Sequence, residues 1–281
     1  MQQANAIVHT PLGKHLAAGL IGLSAMAAVQ HAHGADWSDN SIGYRYGTKF
    51  AEPFNTQDIS KNIVNFTHAS GYKYGTNFLN VDFLMSDNKD SNAQEAYLTY
   101  RHTLDIGKIS GKDLAFGPAR GVGFTLGVDL NTKNDPGYGS KKRMWVAGPT
   151  LMMDVPGFLN LSIFALWESN KPVGIANRYS YDTHPMFNAA WGIPFGTSGF
   201  AFEGYMNYIA AKGKDEFGNS TSPELNFDGQ IMYDVGTPLG LGKNTFRVGL
   251  EYQYWRNKFG NRSTVPGSFA KTPMLRAEYH F

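Results

Sequence analysis

His68-Ala69-Ser70 is a pairing of residues able to do chemistry that needs no assumption beyond local geometry. In an extended chain, a histidine and a serine two apart share one face, where an imidazole can take the proton of a hydroxyl nucleophile. A lone His-x-Ser is frequent by chance, and no third group to orient the imidazole stands beside it in the sequence. The pair also falls at the end of the second expected strand, on the side of the chain termini, whereas a hydrolase of surface lipid needs it at the opposite end. No enzymatic activity is therefore expected. His102, His184 and His280 lack the i, i+4 spacing of metal ligands, and Gly121-Val122-Gly123 lacks the strand-loop-helix setting of a phosphate cradle. With no Cys in the chain there is no thiolate site either, and no metal or cofactor is expected.

The other chemistry-bearing residues come in alternating rows. Phe246, Val248, Leu250, Tyr252 and Tyr254 share one face while Arg247, Gly249, Glu251 and Gln253 share the other; Leu275, Ala277, Tyr279 and Phe281 likewise oppose Arg276, Glu278 and His280. Such period-two rows are strands with one apolar face. Val122 to Leu130, Phe200 to Tyr208 and Leu225 to Val235 behave alike, with Asp129, Glu203, Asp228 and Asp234 on their polar faces.

Strands are expected at 41–50, 59–68, 73–85, 95–104, 121–132, 142–154, 158–169, 184–193, 199–211, 224–235, 245–255 and 273–281. Their connections alternate between tight turns, such as Val155-Pro156-Gly157, and long polar loops at 86–94, 170–183, 212–223 and 256–272; 105–120 and 236–244 are long where short turns are due. Strands of about 10 residues, charges deep within the polar faces and aromatics at strand ends separate a transmembrane antiparallel β-barrel of about 12 strands from a secreted sandwich or lipocalin-like barrel.

Composition agrees. The 281 residues include 32 Gly and 14% aromatics, which excludes a helical bundle and a disordered chain. A formal charge of +2 gives no footprint for nucleic acid. Lys14 and His15 precede the uncharged run Leu16 to Val29, and Ala32-His33-Gly34 offers a small-x-small cleavage site. Residues 1–34 are therefore expected to be a cleavable signal peptide and 35–281 the barrel, in a Gram-negative outer membrane.

A mature chain that opens Asp36-Trp37-Ser38-Asp39-Asn40-Ser41, carries Gly71-Tyr72-Lys73-Tyr74-Gly75 through Asp82 and Leu114-Ala115-Phe116-Gly117-Pro118, and closes on Phe281 resembles the Tsx and OmpK family of nucleoside-specific channel-forming outer-membrane proteins. The likeness runs from about 36 to 281. It implies a monomeric twelve-stranded barrel with a narrow channel, a C-terminal Phe281 signal read by the barrel-assembly machinery, and surface loops of the kind bacteriophages exploit.

With polar faces inward, the lumen is expected to hold Arg45, Lys49, Arg101, Arg247 and Arg276 alongside Asp82, Glu95, Asp129, Glu168, Glu203, Asp228, Asp234, Glu251 and Glu278. Mixed charge suits neutral polar solutes, though the same charges can pair and fill a narrow barrel. Phe78, Tyr97, Phe164 and Tyr205 fall on the inward register, where flat rings can stack a base, with Asn80, Asn160 and Asn207 beside them for hydroxyls. The expected function is passive diffusion of small polar solutes, nucleosides foremost, through a barrel that contacts outer-membrane lipids. The alternative is a surface-interaction barrel with a blocked lumen.

Overall fold

The computed structural model describes residues 35–281; the expected signal peptide, 1–34, lies outside them. Twelve long strands follow one another: β1 (Trp37–Phe50), β2 (Ile59–Tyr72), β3 (Gly75–Ser86), β4 (Gln94–Asp105), β5 (Ala119–Lys133), β6 (Arg143–Met153), β7 (Phe158–Asn170), β8 (His184–Pro194), β9 (Phe200–Ile209), β10 (Glu224–Asp234), β11 (Phe246–Arg256) and β12 (Phe269–His280). Each pairs antiparallel with its neighbours in sequence. β12 pairs with β1 from Ser41 opposite His280 to Gly47 opposite Met274, so the sheet closes. Closure removes both edges, which is what lets a sheet cross a membrane with no backbone group left unpaired in lipid.

Several strand ends extend or shorten the expected spans. Trp37 to Asn40 join β1 because they pair with Gly71 to His68, although nothing in Trp-Ser-Asp-Asn alternates. β2 accordingly runs to Tyr72, leaving Lys73 and Tyr74 as a two-residue turn before β3, and β12 starts four residues early at Phe269. Lys49 is a correction. A register shift between Gly47 and Phe50 inserts a bulge that turns Lys49 outward and exposes it, while Phe50 goes inside against Ile59, Ile63 and Met274. A further two-residue strand, Tyr179–Ser180, pairs with the end of β7.

The alternation of connections is as expected, including its exceptions. The turns on the side of the termini are 73–74, 154–157 and 195–199, with longer 106–118 and 235–245; the opposite side carries 51–58, 87–93, 134–142, 171–183, 210–223 and 257–268. The connection 106–118 is long because it folds a helix of its own, Ile106–Ser110, whose cap Asp105 accepts a hydrogen bond from the Lys108 amide at 3.0 Å and whose end at Gly111 takes a left-handed φ of 67°. By the general rule for such barrels, the termini and short turns face the periplasm and the long loops the exterior.

The outer face is an apolar band. Leu250 is 66% exposed, and Leu275, Ile231, Ile163 and Leu126 stand out beside it; such exposure suits hydrocarbon and not water. Aromatics rim the band, with Phe200, Tyr233 and Tyr279 towards the termini and Tyr46, Trp145, Trp167 and Tyr208 towards the long loops. Trp191 packs between Phe202 and Phe227, with centroids 5.3 and 5.7 Å away. Gly204, at φ 150°, and Gly229 sit opposite one another beneath this cluster, and a Cβ on Gly229 would meet the Phe227 ring at 2.7 Å.

Candidate functional site

The strand register sends one row of every strand into the lumen, and it divides the wall into two chemically different halves. Across β3, β1, β11, β12 and β9 runs a ladder of alternating charge. Arg45 bridges Asp82 at 2.5 Å and Glu251 at 3.0 Å; Arg276 bridges Glu251 at 2.7 Å and Glu278 at 2.6 Å. Arg247 continues it to Glu278 at 3.8 Å and to Glu203, which also accepts from Gln230. Arg101 stands apart, paired with Asp129 through both guanidinium nitrogens at 2.5 and 3.0 Å. All four arginines expected in the lumen are thus there and paired. The acids outnumber them, and Glu95 and Asp228 accept from the amides of Asn131 and Gln253. Asp234 lies at the periplasmic end instead, where it accepts from the Gly236 and Thr237 amides and caps the turn.

The other half carries, beside Arg101 and Asp129, a neutral belt. Thr103, Thr125, Thr150 and Ser162, on four consecutive strands, form a hydroxyl chain with spacings of 2.8, 2.6 and 2.8 Å. Asn188 donates to Asn207 at 2.7 Å on the next two strands, and Asn226 reaches the Tyr205 hydroxyl at 3.4 Å. This belt of hydroxyls and amides escaped the sequence reading, since single Thr and Ser residues carry no signal until antiparallel register lines them up. Asn80, on the charged side, accepts from Thr67 at 2.8 Å and donates to Asp82 at 2.9 Å.

The four expected aromatics all face inward but differ in what they offer. Phe78 is 41% exposed and Tyr205 36% exposed, although both sit on the lumen wall, so each ring has free space in front of it inside the barrel. Tyr97, on β4, lies within electrostatic reach of Tyr205, on β9, across the lumen, with Asp129 and Arg101 beside it. Phe164 is 2% exposed because Val146, Leu166 and Met186 pack around it. These inward apolar residues depart from the polar-in rule, and a second such cluster surrounds Ile63 and Met274. Both stiffen the wall more than they present a surface to solute.

At the outer mouth the long loops turn inward onto buried lysines. Glu52 meets Lys61 at 2.6 Å, Lys258 at 3.2 Å and Lys133 at 3.9 Å, while Asp90 meets Lys133 at 2.9 Å. On the opposite wall Glu168 holds Lys212 at 2.8 Å and Lys142 at 3.5 Å. Lys142 also lies 3.9 Å over the Phe259 ring, tying loop 134–142 to loop 257–268. Tyr138 and Tyr181 both donate to Glu216, which pins loop 210–223 to its neighbours. Burial would raise the Glu52 carboxyl, but Lys258, Lys61 and Lys133 outweigh it and hold it well below the ordinary carboxylate range. Its contribution to stability is therefore complete above the unfolded carboxyl value, about pH 4.3, and is lost only as pH falls beneath that. Burial likewise raises the Tyr138 and Tyr181 phenols, helped by Glu216. Glu52→Gln removes the one anion shared by three lysines and should shift the zero-current potential in a KCl gradient towards chloride. An unmoved potential would mean that permeant ions do not pass these lysines.

A closed antiparallel barrel of twelve long strands, apolar outside and polar within, defines the class: a membrane-spanning β-barrel. No family model and no curated protein matches the sequence. Among solved structures the chain is similar to the KdgM porin, at 9% identity and TM-score 0.43 over 86% of this chain and 99% of that one. It is also similar to the NanC porin, with the same identity, score and coverage, and to OccK11 of Pseudomonas aeruginosa, at 10% identity and TM-score 0.40 over 88% of this chain and 97% of that one. The likeness goes no further than barrel architecture.

Proposed function

We propose that this barrel is a passive channel of the Gram-negative outer membrane for small, neutral, hydrogen-bonding solutes, and that nucleosides are its preferred cargo. The observation that carries the reading is the pair Tyr205 and Phe78, aromatic rings left exposed to the lumen of a barrel whose lumen arginines are all paired. A nucleoside offers a base to stack on such rings, at about 1–3 kcal/mol per base, and a ribose for the hydroxyl and amide belt. Glucose lacks the base, and a nucleotide brings phosphate charge towards Glu95, Asp129, Asp228 and Glu203. Binding is shallow in this reading, because a solute held tightly does not leave.

Tyr97→Ala and Tyr205→Ala should each relieve the block that a nucleoside imposes on single-channel current, by about 5- to 150-fold in the blocking concentration if one stacking contact is lost. Asn207 and Asn80 are assigned to ribose, Asp129, Glu203, Arg247 and Glu251 to the polar wall that excludes charged solutes, and Phe164 to the support behind it. Block unchanged in both tyrosine variants would remove Tyr97 and Tyr205 from the site. Membership of the Tsx and OmpK family, a monomeric state and a role for Phe281 in assembly belong to the same proposal; Phe281 donates its amide to the Asn40 carbonyl at 2.9 Å, at the seam where the last strand meets the first.

One observation favours the second reading, a barrel blocked at its mouth that acts through its loops. The loops carrying Glu52, Lys258, Lys212 and Glu216 are drawn inward by buried ion pairs and hydrogen bonds. Absence of any conductance from folded protein would support it.

A further inference from the structure

The outer face of β1 to β4 carries, near the end with the short turns, a row of polar side chains that no channel needs. We infer that His68 and Ser70 form a serine acyl-hydrolase centre on the outside of the barrel, acting on acyl esters of glycerophospholipid at the periplasmic surface of the membrane.

Register puts His68 and Ser70 on the same outward face as Val64, with Asn40 of β1 directly opposite His68 and Asn77 of β3 directly opposite Ser70. The Ser70 hydroxyl lies 3.1 Å from His68 Nε2, and His68 Nδ1 lies 2.8 Å from Asn40 Oδ1. The orientation of Asn40 is set independently, because its amide nitrogen donates to the Phe281 carbonyl at 3.4 Å. Its oxygen therefore faces the imidazole and accepts from Nδ1–H, which leaves Nε2 as the acceptor for the Ser70 proton. Nucleophile, base and orienting group thus stand in the order and spacing that activation of a serine requires. Asn40, twenty-eight positions before His68, is the third group that the sequence did not reveal.

An oxyanion donor stands on the other side. Asn77 Oδ1 accepts from the Tyr100 hydroxyl at 2.9 Å and from His102 Nδ1 at 2.8 Å, so its amide nitrogen is turned towards Ser70 Oγ, 3.5 Å away. Such a fixed donor is placed to stabilise charge developing on a carbonyl oxygen. The location selects the substrate: an outward site beside the exposed Tyr74, whose ring packs edge-on against Tyr72, and on the same face as the exposed Ile42, two residues from Asn40, meets acyl chains, and a site near the rim also meets the water that hydrolysis consumes.

The steps balance. Ser70 Oγ adds to the ester carbonyl as its proton passes to His68 Nε2; the bond to the glycerol oxygen breaks as His68 returns that proton to it, leaving acyl-Ser70. Water then adds to the acyl carbonyl with His68 as base, the fatty acid departs, and the Ser70 hydroxyl is restored. The net reaction is ester plus water to alcohol plus carboxylic acid, with Asn40 as a positioning residue.

Full-length protein, folded and heat-modifiable, is incubated with dioctanoylphosphatidylcholine in mixed micelles while fatty-acid release is followed; a fluorophosphonate probe is applied in parallel and the labelled peptide mapped. Ser70 is 6% exposed, so the labelling arm also reads whether its oxygen can be reached. The expected result is fatty-acid release and label on Ser70, with release falling on the order of 10³-fold or more in Ser70→Ala and His68→Asn, while both variants keep the heat-modifiable barrel. Asn40→Ala should lower kcat more than KM and shift the pH profile, and Asn40→Asp should restore much of the rate. Folded parent protein that releases no fatty acid and takes no label at Ser70 overturns the inference, as does release that persists in Ser70→Ala. A closed or unselective lumen leaves it untouched, since the cluster lies on the opposite face of the wall.

Discussion

Glu251→Ala should destabilise the barrel by about 3–5 kcal/mol in a folding titration in detergent or lipid, the range for removing one partner of a buried ion pair. Glu251 is 2% exposed and its two carboxylate oxygens serve different cations, Arg45 at 3.0 Å and Arg276 at 2.7 Å. Its loss cuts the ladder in the middle, leaving Arg45 with Asp82 alone and Arg276 with Glu278 alone. Glu251→Gln keeps a hydrogen-bonding group and should lose less, because the penalty comes chiefly from guanidinium charge left without compensation. A loss below about 1 kcal/mol for the alanine variant, the median for a solvated pair, would show that lumen water solvates these arginines and that the ladder adds nothing to stability.

The second large effect tests which face is which. Leu250 lies near the middle of β11, opposite Ile231 and Leu275, in the most exposed part of the apolar band. Leu250→Arg places a guanidinium near the bilayer midplane and should cost about 2–4 kcal/mol. Gln253, three positions on, faces Asp228 across the strand pair and already donates to it at 3.1 Å. Gln253→Arg brings a cation towards an acid in the lumen and should cost much less. Folding titrations in lipid vesicles measure both, and equal losses would place Leu250 on the wrong face.

How much of this was legible in the sequence depended on whether the relevant contact was local. Alternation is local, so β11 and β12 could be read from Phe246 to Tyr254 and from Leu275 to Phe281, and the same parity put Phe78, Tyr97, Phe164 and Tyr205 inside. Trp37 to Asn40 were missed because polar residues at a strand end alternate nothing. Lys49 was misplaced because one extra residue at a bulge exchanges the faces, which no periodicity records. The mouth could not be read at all: Glu52 and Lys258 stand 206 positions apart, and only closure of the barrel brings them together. His68 and Ser70 were recognisable as a pair, but Asn40 became their neighbour only through the register of β1 on β2.

The central claim is that neutral solutes with a flat base interact with an open lumen. Single-channel recording of the purified parent protein in planar bilayers, with adenosine, thymidine, glucose and AMP added in turn at equal concentration, tests it most directly. Adenosine and thymidine should reduce the current at concentrations where glucose and AMP leave it unchanged. Equal behaviour of all four solutes, or a folded barrel that passes no current, would contradict the account.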